Sequence, residues 1–349
     1  MVLTQSYAAT LIVMIVALFC LGSWVNTFKL GKGWRFEFYY FDFAIGVLLA
    51  TVLIVFTVGS MGFDGFSFGD DMMHGGKRQW MFAFLAGALF NLANMLLIGA
   101  SSVAGITVAF PMVAGIGLVV GSLLNLAVNG GVNAGLIAGG CLMLVLAVAA
   151  DASAYSGLLM IRHEEMAKAG KAKSTRRPKP TKVLLLCLAG GVFMGLSPLL
   201  TRMAASGELG LGPYSISFMF AAGLFFSTIA YNMFFVNLPV EGDPAEMGEF
   251  FKVSPKVHLL GLSGGAIWAI GAAATLVALA APPEATLGSA IGYLLPQCFA
   301  LIAALWGLLL WKEFRGADLR VKMSAVVTLV FYLCGLALLS VAPMFVRQG

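Results

Sequence analysis

Long, unbroken apolar runs alternate with short polar connections along the whole chain. An α-helix needs about 20 apolar residues to cross a bilayer. The pattern predicts ten such spans, at residues 7–28, 36–60, 79–99, 103–127, 132–153, 182–203, 214–237, 256–280, 286–310 and 320–345. The third and fourth are parted only by a short turn around Ala100–Ser102. The runs lack the polar–apolar alternation that a barrel strand requires. The predicted fold is therefore all-α and polytopic.

Composition agrees. Of 349 residues 60% are hydrophobic and 11% charged, against about 25% charged in soluble domains, and mean hydropathy is +0.95. Too few polar residues exist to cover a soluble core. "MVLTQSY" carries no basic residue ahead of the first apolar run, so that run is expected to be a retained span rather than a cleaved signal. Cys20, Cys141, Cys187, Cys298 and Cys334 all fall inside apolar runs, and His74, His163 and His258 are not spaced with them as metal ligands would be. No metal, disulfide or cofactor is expected. HExxH and paired buried carboxylates are absent, which argues against a membrane enzyme.

Charge supplies an orientation. Among the 21 Lys and Arg residues, only Lys77, Arg78, Arg202 and Arg347 lie on the side shared by the two termini. Positive charge marks the cytoplasmic side, so both termini are expected to be non-cytoplasmic, in a multi-pass protein of the cell (inner or plasma) membrane. "RHEEMAKAGKAKSTRRPKPTK" (162–182) reads as a solvated basic loop, not a nucleic-acid site.

The segments on either side of this loop resemble each other. "FCLGSWVNT" (19–27) sets against "FMGLSPLLT" (193–201), "FAIG" (43–46) against "FAAG" (220–223), and "GALFN" (87–91) against "GAIWA" (265–269). Pro111 falls opposite Pro296, and "GSLLN" (121–125) opposite "WGLLL" (306–310). The expected organisation is a first five-helix repeat over 1–156, a basic cytoplasmic linker over 157–181, and a second repeat over 182–349. Five spans per copy force the second copy to enter the membrane inverted, a plan in which secondary transporters hold solute between the halves. Four-residue glycine pairs at 117/121, 131/135, 135/139, 191/195 and 261/265 favour close helix packing.

Polar groups within the spans are candidates to touch a solute. Asn91 and Asn94 share one helix face, as do Tyr293 and Gln297, and Trp268 adds a flat ring. Pro111 and Pro296 can kink their helices. These residues either line a cavity or tie helices together. No charged residue is expected near a span centre, so the solute is expected to be small, polar and neutral. The entry to the second span, "NTFKLGKGWRFEFYYFDFAIG" (26–46), crowds aromatics and charge together. Its basic residues and rings suit the cytoplasmic interface. Asp42 either caps the helix, pairs with Arg35, or exchanges a coupling proton, with Glu37 the other carboxylate of that segment. "DPAE" (243–246) predicts a short helix capped by Asp243.

Several stretches resemble the drug/metabolite transporter superfamily, and within it the ureide permeases and bacterial glucose/rhamnose-type permeases. They are "LGSWVNTFK" (21–29), "YYFDFAIG" (39–46), "GALFNLAN" (87–94), "VAGITVAFPMVAGIGLVVGSLLN" (103–125) and "LWGLLLWKEFRGADLR" (305–320), the last carrying Trp306, Gly307, Glu313 and Arg315. The resemblance implies proton-linked uptake of allantoin-like ureides and nucleobases, or of sugars. An exporter of the same superfamily is the nearest alternative, and a channel or non-transporting bundle the alternative from another class. Plant ureide permeases carry a nucleotide-loop-like motif in the linker. "KAGKAKST" (168–175) lacks its leading glycine and the Ser or Thr after Gly170–Lys171, so nucleotide binding does not carry over. Oligomeric state is left open.

Overall fold

The computed structural model describes residues 1–31, 33–61, 67–169, 180–240 and 242–345. Among them lie ten helical stretches long and apolar enough to cross a membrane. The chain is an all-α integral membrane protein. The first span is α1 (Tyr7–Ser23) and α2 (Val25–Leu30), broken at Trp24. Then follow α3 (Phe36–Phe56), the short α4 (Phe68–His74), α5 (Lys77–Ala104), α6 (Ile106–Asn129), α7 (Ala134–Lys168), α8 (Thr181–Ala205), α9 (Pro213–Asn237) and α10 (Pro255–Leu279). The ninth span consists of α11 (Gly288–Gln297), α12 (Phe299–Leu305) and a π turn (Trp306–Leu310), and α13 (Leu319–Val341) is the tenth.

Local chemistry sets the ends. Ser6 accepts a bond from the Ala9 N–H, Asn133 from Gly135 and Leu136, and Asp318 from Val321, each satisfying first-turn donors. Pro213 and Pro255 open α9 and α10, where a missing N–H costs nothing.

Three boundaries differ from expectation. The third and fourth spans part at Gly105, whose φ of +98° suits glycine, rather than at Ala100–Ser102. The α7 helix continues to Lys168. The first part of the expected linker is thus helical, because Leu158 and Tyr155 are buried and keep the helix packed past the end of the continuous apolar run. Residues 170–179, including most of "KAGKAKST", lie outside the described residues. At "DPAE" no helix begins: a 3-10 turn starts at Met247, with Glu246 rather than Asp243 at its N-cap.

The chain divides into two compact units, each drawing on segments before and after the basic loop. The first comprises Met1–Met95 and Leu196–Ile302, the second Leu96–Gly195 and Ala303 onward. In the first unit α3 crosses α10 and α5 crosses α9 at glycine. A Cβ on Gly46 would strike the Leu262 carbonyl, and one on Gly265 the Phe43 carbonyl. At the other crossing, Gly87 meets the Phe220 carbonyl and Gly223 the Phe84 carbonyl in the same reciprocal way. Small residues let backbones approach this closely.

In the second unit the glycine pairs of α6 and α8 face each other. A Cβ on Gly195 would meet the Gly117 carbonyl oxygen at 2.5 Å and the Gly121 nitrogen at 3.0 Å. Gly140 of α7 and Gly335 of α13 make a similar approach. Glu313 explains why "WGLLLWKEF" holds together. Its carboxylate accepts the Ile106 N–H at 3.0 Å, the Thr107 N–H at 2.8 Å and the Thr107 hydroxyl at 2.7 Å, capping α6 from outside the helix. Arg162 donates to the Glu313 carbonyl at 2.8 Å. Gly307 lies against Thr107 where no side chain fits.

Candidate functional site

A cavity of about 390 Å³ lies in the first unit between the end of α10, the start of α11 and Met14 of α1, within the ~300–1,000 Å³ range of small-molecule sites. Thr275, Thr286, Ser289, Tyr293 and Gln297 bring hydroxyls and an amide to its wall, and Leu279, Leu287 and Pro296 supply apolar surface. No charged side chain lines it. Tyr293 and Gln297 reach it together because they sit one turn apart on α11. Pro296 lies beside them, and the helix breaks just after Gln297, at Cys298. The α6 helix, in contrast, runs unbroken through Pro111.

The other expected solute contacts lie in packed surroundings. Asn91 is buried and donates to the Leu224 carbonyl at 2.9 Å, to Ser227 at 2.7 Å and to Thr228 at 3.0 Å, joining α5 to α9. Asn94 donates to the Tyr40 hydroxyl at 3.0 Å, joining α5 to α3. Trp268 is buried, with its ring centroid 5.1 Å from Phe90, 6.0 Å from Phe220 and 6.2 Å from Phe43. None of the three lines the cavity. An isolated Asn on a helix gives no sign in sequence of whether it faces a neighbour or a void.

At the end of the unit where α3 and α10 begin, Asp42 and His258 meet. The His258 Nδ1 lies 2.8 Å from an Asp42 carboxylate oxygen, and the side chains are 6% (Asp42) and 23% (His258) exposed. Asp42 is thus neither a cap nor a partner of Arg35. It is the seventh residue of α3, whose N-cap is Arg35. Arg35 instead reaches Glu37, at 3.2 Å, and donates to the Asp243 carbonyl at 2.7 Å. Glu37 is buried, and its backbone carbonyl takes the Asn232 amide at 2.6 Å. Phe250, from the 3-10 turn, stands edge-on to His258 with centroids 4.7 Å apart, and Trp34 does the same at 5.4 Å. Two aromatic rings thus pack on the imidazole.

The chain is 24% identical to Ureide permease 4 of Arabidopsis thaliana across 97% of this chain and 98% of that protein. It is similar, again at 24% with the same coverage, to Ureide permease 2 of that plant. Ureide permease 1 matches at 27% over 38% of this chain and 35% of its own. No protein-family model matches. A crystal structure superposes on 94% of this chain and 96% of its own at 13% identity, with a TM-score of 0.49.

Two residues escaped the sequence reading. His258 stands at the start of a span, and nothing local in sequence couples it to Asp42, 216 positions away. Asp151 contradicts the expectation that no charged residue lies near a span centre. It lies within α7, is 1% exposed, and its Oδ2 has no hydrogen-bond partner. The apolar residues that follow it, Leu158 to Ile161, were the available sign that the helix continues. Asp151 belongs to the second unit and does not line the cavity.

Proposed function

We propose that the protein is a secondary transporter that takes up a small neutral polar solute of the ureide class, driven by protons. The observation that carries this reading is the cavity: hydroxyls and an amide over apolar walls, with no countercharge. A neutral, hydrogen-bonding solute is what such a wall recognises, because a buried charged solute would need a partner. Similarity to ureide permeases over nearly the full length supports the class. The Asp42–His258 pair and the cavity lie toward opposite ends of α10.

A duplicated, inverted pair of five-helix halves underlies this reading. The two glycine crossings support it: Gly46, Gly87, Gly223 and Gly265 are each the eleventh residue of their helix. The charge bias supports placing the termini outside and the basic linker inside. The test is uptake of radiolabelled allantoin into proteoliposomes under an imposed inward proton gradient, with uracil, glucose and amino acids as competitors. Saturable accumulation inhibited by ureides is expected. Accumulation of glucose alone, efflux only, or non-saturable flux would overturn the reading.

A further inference from the structure

The two glycine crossings of the first unit differ in charge at one pair of matching places. Asp42 is the seventh residue of α3, and the seventh residue of α9 is Met219. His258 is the fourth residue of α10, and the fourth of α5 is Trp80. Met219 and Trp80 pack on a common apolar cluster of Ala83, Ala204, Leu211 and Ile216. One crossing thus does without charge where the other buries a carboxylate against an imidazole. Packing does not require the Asp–His pair, and a buried ionisable pair is costly to keep in a membrane protein.

We propose that Asp42 and His258 together form the binding site of the coupling proton, with the segment around Phe250 as the strap that covers it. The proposal rests on the transport reading above and adds His258 and the strap to it. The proton passes from hydronium to the carboxylate or to the imidazole, leaving water behind, and no covalent bond of the protein breaks. Gain or loss of a proton changes the charge of the pair and with it the contact between α3 and α10 at this end. The strap is held from below by Phe250, which also touches Trp34, Phe38 and Phe41. Arg35 holds it through the Asp243 carbonyl. The other ionisable groups on the surrounding elements are few. Tyr39 on α3 is bound to Thr27 at 2.8 Å and Tyr40 to Asn94 at 3.0 Å, Arg35 is paired with Glu37, Lys29 on α2 is half-buried, and Glu249, Lys252 and Lys256 are exposed.

The experiment uses the full-length purified protein and transplants the apolar pair, as Asp42→Met with His258→Trp. Binding of allantoin is measured by calorimetry at about pH 5.5 and about pH 7.5, spanning the usual histidine range. One linked proton changes affinity by up to about tenfold per pH unit. The wild type is expected to show that dependence, and the double variant to bind with a pH-independent affinity and lose accumulation. Unaltered pH dependence in the double variant overturns the proposal. If that variant does not fold, Asp42→Asn combined with His258→Gln keeps the shape and answers the same question. A second readout separates this proposal from the choice of solute. The chain has 3 histidines, so the titration of the His258 ring can be followed by NMR without any solute. Its midpoint is expected to move by at least half a pH unit in Asp42→Asn. An unmoved midpoint overturns the pair even if ureides bind, and a moved midpoint without ureide binding faults the transport reading instead.

Discussion

The crossing of α3 with α10 and the crossing of α5 with α9 use one contact twice. In each, two glycines at the same helical positions let a backbone carbonyl approach where any side chain would collide. What surrounds that contact differs. The first crossing ends in Asp42 and His258, under a cover of aromatic rings. The second has Met219 and Trp80 at the matching positions, and gains its polar tie elsewhere, from Asn91 to Ser227 and Thr228. Alanine, at Ala269, occupies the place on α10 that matches Asn91 on α5. The lesson is that the shared residues specify how the helices pack. The unshared polar ones are where a function can reside, because the structural task is already met without them.

Trp268 offers the largest perturbation. Its ring meets Phe43, Phe90 and Phe220, one from each helix of the two crossings besides its own. Trp268→Ala should destabilise the protein by about 3–5 kcal/mol, read as a fall in the thermal unfolding temperature in detergent. Unchanged stability with weakened solute binding would return Trp268 to the binding site and separate it from the crossings.

The glycines come next. Gly46→Ala, Gly265→Ala, Gly87→Ala and Gly223→Ala should each cost about 1–3 kcal/mol, as overpacking does, and by similar amounts. If either crossing tolerates its alanines while the other does not, the equivalence fails. Asn91→Ala should be milder, at about 1 kcal/mol, the usual size of an interhelical hydrogen bond in a membrane. Its Oδ1 is buried without a partner, so removing the amide also relieves an unmet acceptor. A loss above about 3 kcal/mol would mean that the second crossing depends on polarity as the first does.

Much of this comparison could be read from the chain. "FAIG" against "FAAG" and "GALFN" against "GAIWA" already align the four glycines and the pairs Phe43/Phe220 and Phe90/Trp268. The ten spans follow from apolar run length alone. Site residues were less legible, because their partners are remote. Asp42 shows a carboxylate just inside a helix, but its imidazole is on α10, and the nearby Arg35 is drawn off by Glu37. Tyr293 and Gln297 were singled out together with Asn91 and Asn94 by one rule, a shared helix face. Only the packing separates the pair at the cavity from the pair between helices. Asp151 was missed for another reason: an apolar run ends before the helix does.

The claim that the α10–α11 cavity holds the solute is the centre of this account, and Gln297 tests it most directly. Allantoin binding to purified protein should be weakened about 5- to 150-fold by Gln297→Ala, the equivalent of about 1–3 kcal/mol for a lost buried hydrogen bond. Wild-type affinity in Gln297→Ala, measured by calorimetry on a folded sample, would contradict the account and place the solute elsewhere.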